Sequence, residues 1–197
     1  MTASFFRRAA APRAAALLML AALPGVRAGQ TDAAAPRAAG ASSTAASAPQ
    51  AAVAQRLKQY LFDAAHAGHM PMLKEFVAAG YDLNVRDEKG YTALILAAYH
   101  GHDDAVTLLM QAGADPCAQD QRGNTALMGA IFKGEMRIAG QLLNAPCNPD
   151  QRNAAGQTAA MYAALFGRAE LLQKLKAKGA DLQAQDAAGN SAQSLTR

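Results

Sequence analysis

All four histidines of this 197-residue chain lie between residues 66 and 102: His66, His69, His100 and His102. Imidazoles gathered in this way are the raw material of a zinc or copper site, and His100-x-His102 with His69 upstream is the arrangement to weigh. The two cysteines, Cys117 and Cys147, offer a second chemistry: a disulfide in an oxidising compartment, or two free thiols. Asp103 and Asp104 stand where a helix would begin, and carboxylates there complement the positive end of the helix dipole. No phosphate loop, nucleophile elbow or paired-cysteine metal motif occurs, and the serines cluster away from the histidines. Catalysis is therefore poorly supplied. Whether the histidines serve a metal or the fold depends on the elements that carry them.

Those elements recur. Shifting the chain by 33 residues aligns Gly90, Gly123, Gly156 and Gly189, and likewise Thr92, Thr125, Thr158 and Ser191. Ala93, Ala126, Ala159 and Ala192 follow in step, as do Asp87, Asp120, Asn153 and Asp186. Gly68, Gly101, Gly134 and Gly167 mark a second point in each unit. Gly80, Gly113 and Gly179 mark a third, with Pro146 the exception, and Asp82, Asp115, Asn148 and Asp181 come two places later. A stretch such as DEKGYTALILAAYHGH, residues 87–102, opens with a turn, begins a capped helix and stops it early. A unit this small cannot bury its own apolar face, so the next copy must stack beside it.

With this period and these residues the chain resembles the ankyrin repeat, whose usual pattern is D-x-x-G-x-T-P-L-H-x-A-A-x-x-G-H, a second helix, then G-A-D-x-N. The resemblance covers residues from about 55 to 197. It departs from the pattern at Ala93, Ala126 and Ala159, where proline is usual, and at Ile95, Met128 and Met161, where histidine is usual. Those changes exchange a polar network for apolar packing and leave the fold expectation intact. The resemblance implies an all-α solenoid of stacked helix-turn-helix units joined by hairpin loops. Its repeats fall at about 52–86, 87–119, 120–152 and 153–185, with a C-terminal fragment at 186–197. Residues 52–67 lack the turn signature and read as a capping helix with one wet face, and Leu109, Leu142 and Leu175 recur as core of the second helices.

The pattern bears on both chemistries. His69 and His102 are its own Gly-His, where the ring commonly serves the turn, so only His66 and His100 lack a structural reason. A metal-binding protein or metal-dependent enzyme using His66, His69, His100 and His102 stays as the alternative. Cys117 and Cys147 lie in loops of adjacent repeats but are staggered by three residues in phase. The stagger favours two free thiols over a bridge, which needs Cα atoms within ~7 Å; spacing alone leaves both open.

Similarity to ankyrin proteins implies a non-enzymatic module without a cofactor, recognising a protein through a concave surface of turn tips and first helices. The positions before the second glycine, His66-Ala67, Tyr99-His100, Phe132-Lys133 and Leu165-Phe166, should face that surface, with Tyr99, Phe132 and Leu165 as an exposed ladder. Lys89, Tyr91, Arg122, Asn124 and Gln157 should join them from the tips. An inhibitor or immunity-type protein and a stabilising helper of an enzyme would use the same face.

The N-terminus speaks to location. Arg7, Arg8 and Arg13 precede an apolar run from Ala14 to Leu23, followed by Val26-Arg27-Ala28, which reads as a secretory signal over residues 1–28. The run is too short to span a bilayer, so no stable membrane anchor remains after cleavage, and the periplasm is the expected destination. The formal charge of +4 belongs to that segment: without Arg7, Arg8, Arg13 and Arg27, fifteen basic residues face fifteen acidic ones, and nucleic-acid binding loses its support. Residues 29–51, rich in Ala, Ser and Pro, read as a disordered tether leading into a monomeric repeat domain.

Overall fold

The computed structural model describes residues 47–196. The segment read as an export signal, residues 1–28, and the tether up to residue 46 lie outside the described residues.

Each unit after the first starts from one polar side chain. Asp87 Oδ1 accepts the backbone N–H groups of Lys89 and Tyr91, at 2.8 and 2.7 Å, which closes a tight turn. Asp120, Asn153 and Asp186 hold the two N–H groups at the same offsets in their own repeats. The turn requires positive φ three residues on, and Gly90 and Gly123 supply it at +79° and +76°. Stacking imposes a second demand. A Cβ on Gly90 would come within 2.7 Å of the Gln121 nitrogen in the next repeat, and one on Gly123 within 2.8 Å of Asn153 Cα. The bare backbone lets neighbouring tips hydrogen-bond in series: Gln121 N–H to the Lys89 carbonyl, Ala154 N–H to Arg122 and Ala187 N–H to Ala155, at 2.8–3.0 Å.

Two residues past the glycine, the Oγ1 atoms of Thr92, Thr125 and Thr158 accept the N–H groups of Ile95, Met128 and Met161 at 3.3, 3.3 and 3.4 Å. Each threonine thereby caps a first helix: α3 (Ala93–Tyr99), α5 (Ala126–Lys133) and α7 (Ala159–Leu165). Left-handed glycines at 101, 134 and 167 end them, and the chain returns as second helices α4 (Asp103–Gln111), α6 (Met136–Leu143) and α8 (Ala169–Ala177). Before them stand α1 (Ser47–Ala67) and α2 (Met70–Ala78); after them Ser191 caps the short α9 (Ala192–Leu195). No strand occurs among the described residues.

α1 begins at Ser47, so residues 47–51, read from composition as tether, are helical. Alanine is the best helix former, and Pro49 sits in the first turn, where its missing N–H costs nothing. α1 also departs from a fully polar outer face: Val53, Leu57 and Tyr60 are exposed beside Gln55, Arg56 and Gln59. No described helix is long and apolar enough to cross a membrane.

First helices pack in one row, α1, α3, α5, α7 and α9, and second helices in another, α2, α4, α6 and α8. The core lies between the rows and between repeats. Leu109, Leu142 and Leu175 are at most 3% exposed, and Ile95, Met128 and Met161 are buried where the usual repeat has histidine. A polar ladder runs along the hairpin bases. Gln119 Nε2 donates to the carbonyls of Gly123 and Arg152, 4 and 33 residues on; Arg152 Nη1 does the same to Gly156 and Gln185, and Arg86 to Gly90 and Gln119.

On the loops behind the core the two cysteines are joined: Cys117 and Cys147 form a disulfide with Cα atoms 5.5 Å apart. The phase stagger, which favours free thiols, does not keep them apart. Cys147 falls in the repeat where Pro146 replaces the loop glycine. Proline's fixed negative φ rules out the left-handed turn made by Gly80, Gly113 and Gly179, so this loop follows its own path.

Candidate functional site

The histidines divide by role. His69 Nδ1 accepts the Met72 N–H at 3.2 Å and caps α2. His102 lies over Gly68 of the preceding repeat, where a Cβ would come within 2.5 Å of its Nδ1, and its Nε2–H donates to the His66 carbonyl at 2.7 Å. Glu135 covers Gly101 and Arg168 covers Gly134 in the same way, so this position packs one repeat on the last. His66 and His100 meet ring to ring, with centroids 3.9 Å apart. Burial, then the charges of His66, His102 and Lys133, hold the His100 imidazole below its ordinary 6.5. Among the described residues no three His, Cys, Asp or Glu side chains are grouped to hold a metal ion. His69 faces its own helix and His102 a backbone carbonyl, so the four rings do not turn toward one point.

The face made by tips and first helices carries a chain of rings. Tyr99 and Phe132 stack at 6.2 Å with planes 11° apart, and Phe132 meets Phe166 edge-on at 5.5 Å. Tyr99 and Phe132 are 37% and 49% exposed, which places them on the surface and not in the core. Leu165 is also exposed, but the ring chain continues through Phe166, so the third rung is one residue later than the simple ladder expects. Lys133 Nζ sits 5.1 Å from the centre of the Tyr99 ring, within cation–π range.

At the tips Lys89 and Arg122 are exposed and Tyr91 is half-buried. Asn124 and Gln157 are turned inward. Asn124 donates to Asp120 and accepts from Asn153 Nδ2 at 3.0 Å, and Gln157 Oε1 accepts from Asn153 Nδ2 at 3.2 Å. Asn124 thereby joins its tip to the next, Gln157 braces its own, and both are half-buried.

The face is not a uniform ramp. At one first-helix position successive repeats place Leu96, Gly129 and Tyr162, so α5 lacks a side chain between two large ones. The gap is a notch of ≈ 320 Å³, with Met128 and Thr125 at its base and Tyr91, Leu96, Tyr99, Phe132 and Tyr162 around it; Arg122, Asn124 and His100 also line it. Tyr162 is fixed as a wall by hydrogen bonds of its hydroxyl with Asn153 and Asn124, at 3.3 and 3.4 Å. Burial raises its phenol above the ordinary 10.0. Glycine inside a helix costs roughly 0.5–1 kcal/mol relative to alanine. Here sterics do not demand it, because a Cβ on Gly129 would meet nothing nearer than Tyr99 Cδ2 at 3.6 Å. Leu96, Gly129 and Tyr162 are the site residues that motif reading passes over. Comparing the 33-residue phases position by position would have exposed the missing side chain.

No curated protein matches the chain. The family model described as ankyrin repeats (3 copies) matches residues 61–153 and again 112–186. Repeats of this kind generally mediate protein–protein interaction. Turn, cap, paired helices and family match agree, and the chain belongs to the ankyrin repeat family.

Proposed function

We propose that the chain is a non-enzymatic protein-binding module exported to the bacterial periplasm, and that it acts as a monomer holding a protein partner on the face of tips and first helices. The observation that carries this reading is the exposed row of Tyr99, Phe132 and Leu165, with Lys89, Arg122 and Lys133 beside it. Large apolar groups in a contiguous surface row mark interaction sites, and aromatic and arginine residues dominate interface energetics. Export is supported by the Arg7, Arg8 and Arg13 cluster before the apolar run of residues 14–23, and by the Cys117–Cys147 bridge, since disulfides persist in oxidising compartments.

The test is affinity capture of the tagged protein from periplasmic extract, beside the double variant Tyr99→Ala with Phe132→Ala. The variant should lose the captured protein while its melting curve stays within about 1 kcal/mol of the parent, as exposed positions allow. A folded variant that keeps its partner refutes the face assignment. The partner's activity on titration then tells an inhibitor, which lowers it stoichiometrically, from a helper, which raises yield or survival. N-terminal sequencing of the periplasmic protein tests export: it should begin near Gly29.

A further inference from the structure

Gly129 has a helical backbone and room for a Cβ, so neither the turn nor the stack asks for glycine there. Its effect is the notch. Between Leu96 and Tyr162 the row of side chains is interrupted, and ≈ 320 Å³ opens onto buried Met128 and Thr125. That volume is at the lower end of the ~300–1,000 Å³ typical of ligand sites, which suits one large side chain better than a cofactor. The walls are aromatic and aliphatic, so an incoming ring finds partners for offset or edge contacts.

The lining carries one cation, Arg122, and one carboxylate, Asp120. Arg122 is exposed, and the ion pairs among the described residues lie elsewhere, Arg137 with Asp103 and Lys174 with Glu170. Asp120, the carboxylate in the lining, accepts the Arg122 and Asn124 N–H groups and the Asn124 amide, so it is occupied by its own turn. Lys133 adds a cation above Tyr99. Glu88 at the neighbouring tip does not line the notch.

We propose that the notch at Gly129 is an anchor pocket for one aromatic side chain of the protein partner, carried beside an acidic residue that pairs with Arg122. This rests on the partner-face reading above and narrows it to an acidic-aromatic segment seated at mid-face. An aromatic anchor in a desolvated pocket beside an arginine has the make-up of an interface hot spot.

The protein contains no tryptophan, so the indole emission of an added peptide reports on that peptide alone. Two blocked peptides, Gly-Asp-Trp-Asp-Gly and Gly-Lys-Trp-Lys-Gly, are titrated with the protein. The acidic peptide should show a saturable blue shift and bind roughly tenfold or more tighter than the basic one, because like charges on the rim repel the latter. Gly129→Leu should weaken the acidic peptide by a similar factor, and Arg122→Glu, at an exposed tip, should reverse the order of the two peptides. If Gly129→Leu does not fold by circular dichroism, Gly129→Ala, which adds one methyl, should still weaken the acidic peptide. Equal affinity for the two peptides, no shift with either, or full affinity in the folded Gly129 variant overturns the proposal. The two readings fail separately: if the Tyr99→Ala, Phe132→Ala variant loses the captured partner and Gly129→Leu keeps it, the face stands and the notch does not.

Discussion

Gly123, at a turn tip, and Gly129, six residues later on α5, belong to two regions that use glycine for opposite reasons. At the tip the residue is compelled: φ is +76°, and a Cβ would strike the backbone of the next repeat at 2.8 Å. On the first-helix face it is optional, with ordinary contact at 3.6 Å and a helix that alanine would favour. The tips are alike from repeat to repeat because each must accept the next one. The first-helix face differs between repeats because nothing stacks on it. Stability therefore resides in the positions that repeat, and the proposed recognition draws on those that do not.

That contrast can be broken at its strong end first. Leu142 is 3% exposed and packs between repeats, so Leu142→Ala should cost ~2–5 kcal/mol from lost burial and the cavity left behind, read as a lower denaturant midpoint. An unchanged midpoint would mean that the repeating core does not carry the stability. Next comes the loop bridge. Cys117 and Cys147 are 30 residues apart, and a closed loop of that length contributes about 3–4 kcal/mol by restricting the unfolded chain. Cys117→Ser with Cys147→Ser should lower stability by that order, and reductant should lower the parent but not the variant.

Smaller effects sharpen the comparison. Gly129→Ala should raise stability by roughly 0.5–1 kcal/mol, whereas Gly123→Ala should lower it, because only the second glycine has left-handed backbone. If both variants fall, the helix glycine is structural after all. The smallest effect is at His100. Its folded pKa lies below the ordinary 6.5, so the fold favours the neutral ring. That contribution is whole above about pH 6.5 and is lost as pH falls through the folded value. The melting temperature should dip slightly between about pH 7 and 5, and His100→Gln should flatten that part of the profile. His66, His102 and Lys133, the charged neighbours of the ring, stay in place in that variant.

Local signals made the repeat legible from sequence. Asp87, Gly90 and Thr92 act within a few residues of one another, through an accepted N–H, a positive φ and a cap, so their spacing already states the structure. His69 at the Gly-His position was legible for the same reason, because it caps its own helix, whereas His102 at the equivalent position reaches back to the preceding repeat. The helical start of α1 at Ser47 was not, since the alanines and Pro49 suit a loose tether as well as a first turn.

What the chain determined by itself was thus the period, the turn chemistry, the caps and the apolar stripes, because each depends on residues close in sequence and on helical geometry. Only the stacked structure decided the cysteine pairing, the passage of the ring chain through Phe166 in place of Leu165, and the notch between Leu96 and Tyr162. Each of these depends on how far one repeat is turned and shifted relative to the next. That displacement is set by packing across the whole interface, and no single repeat contains it.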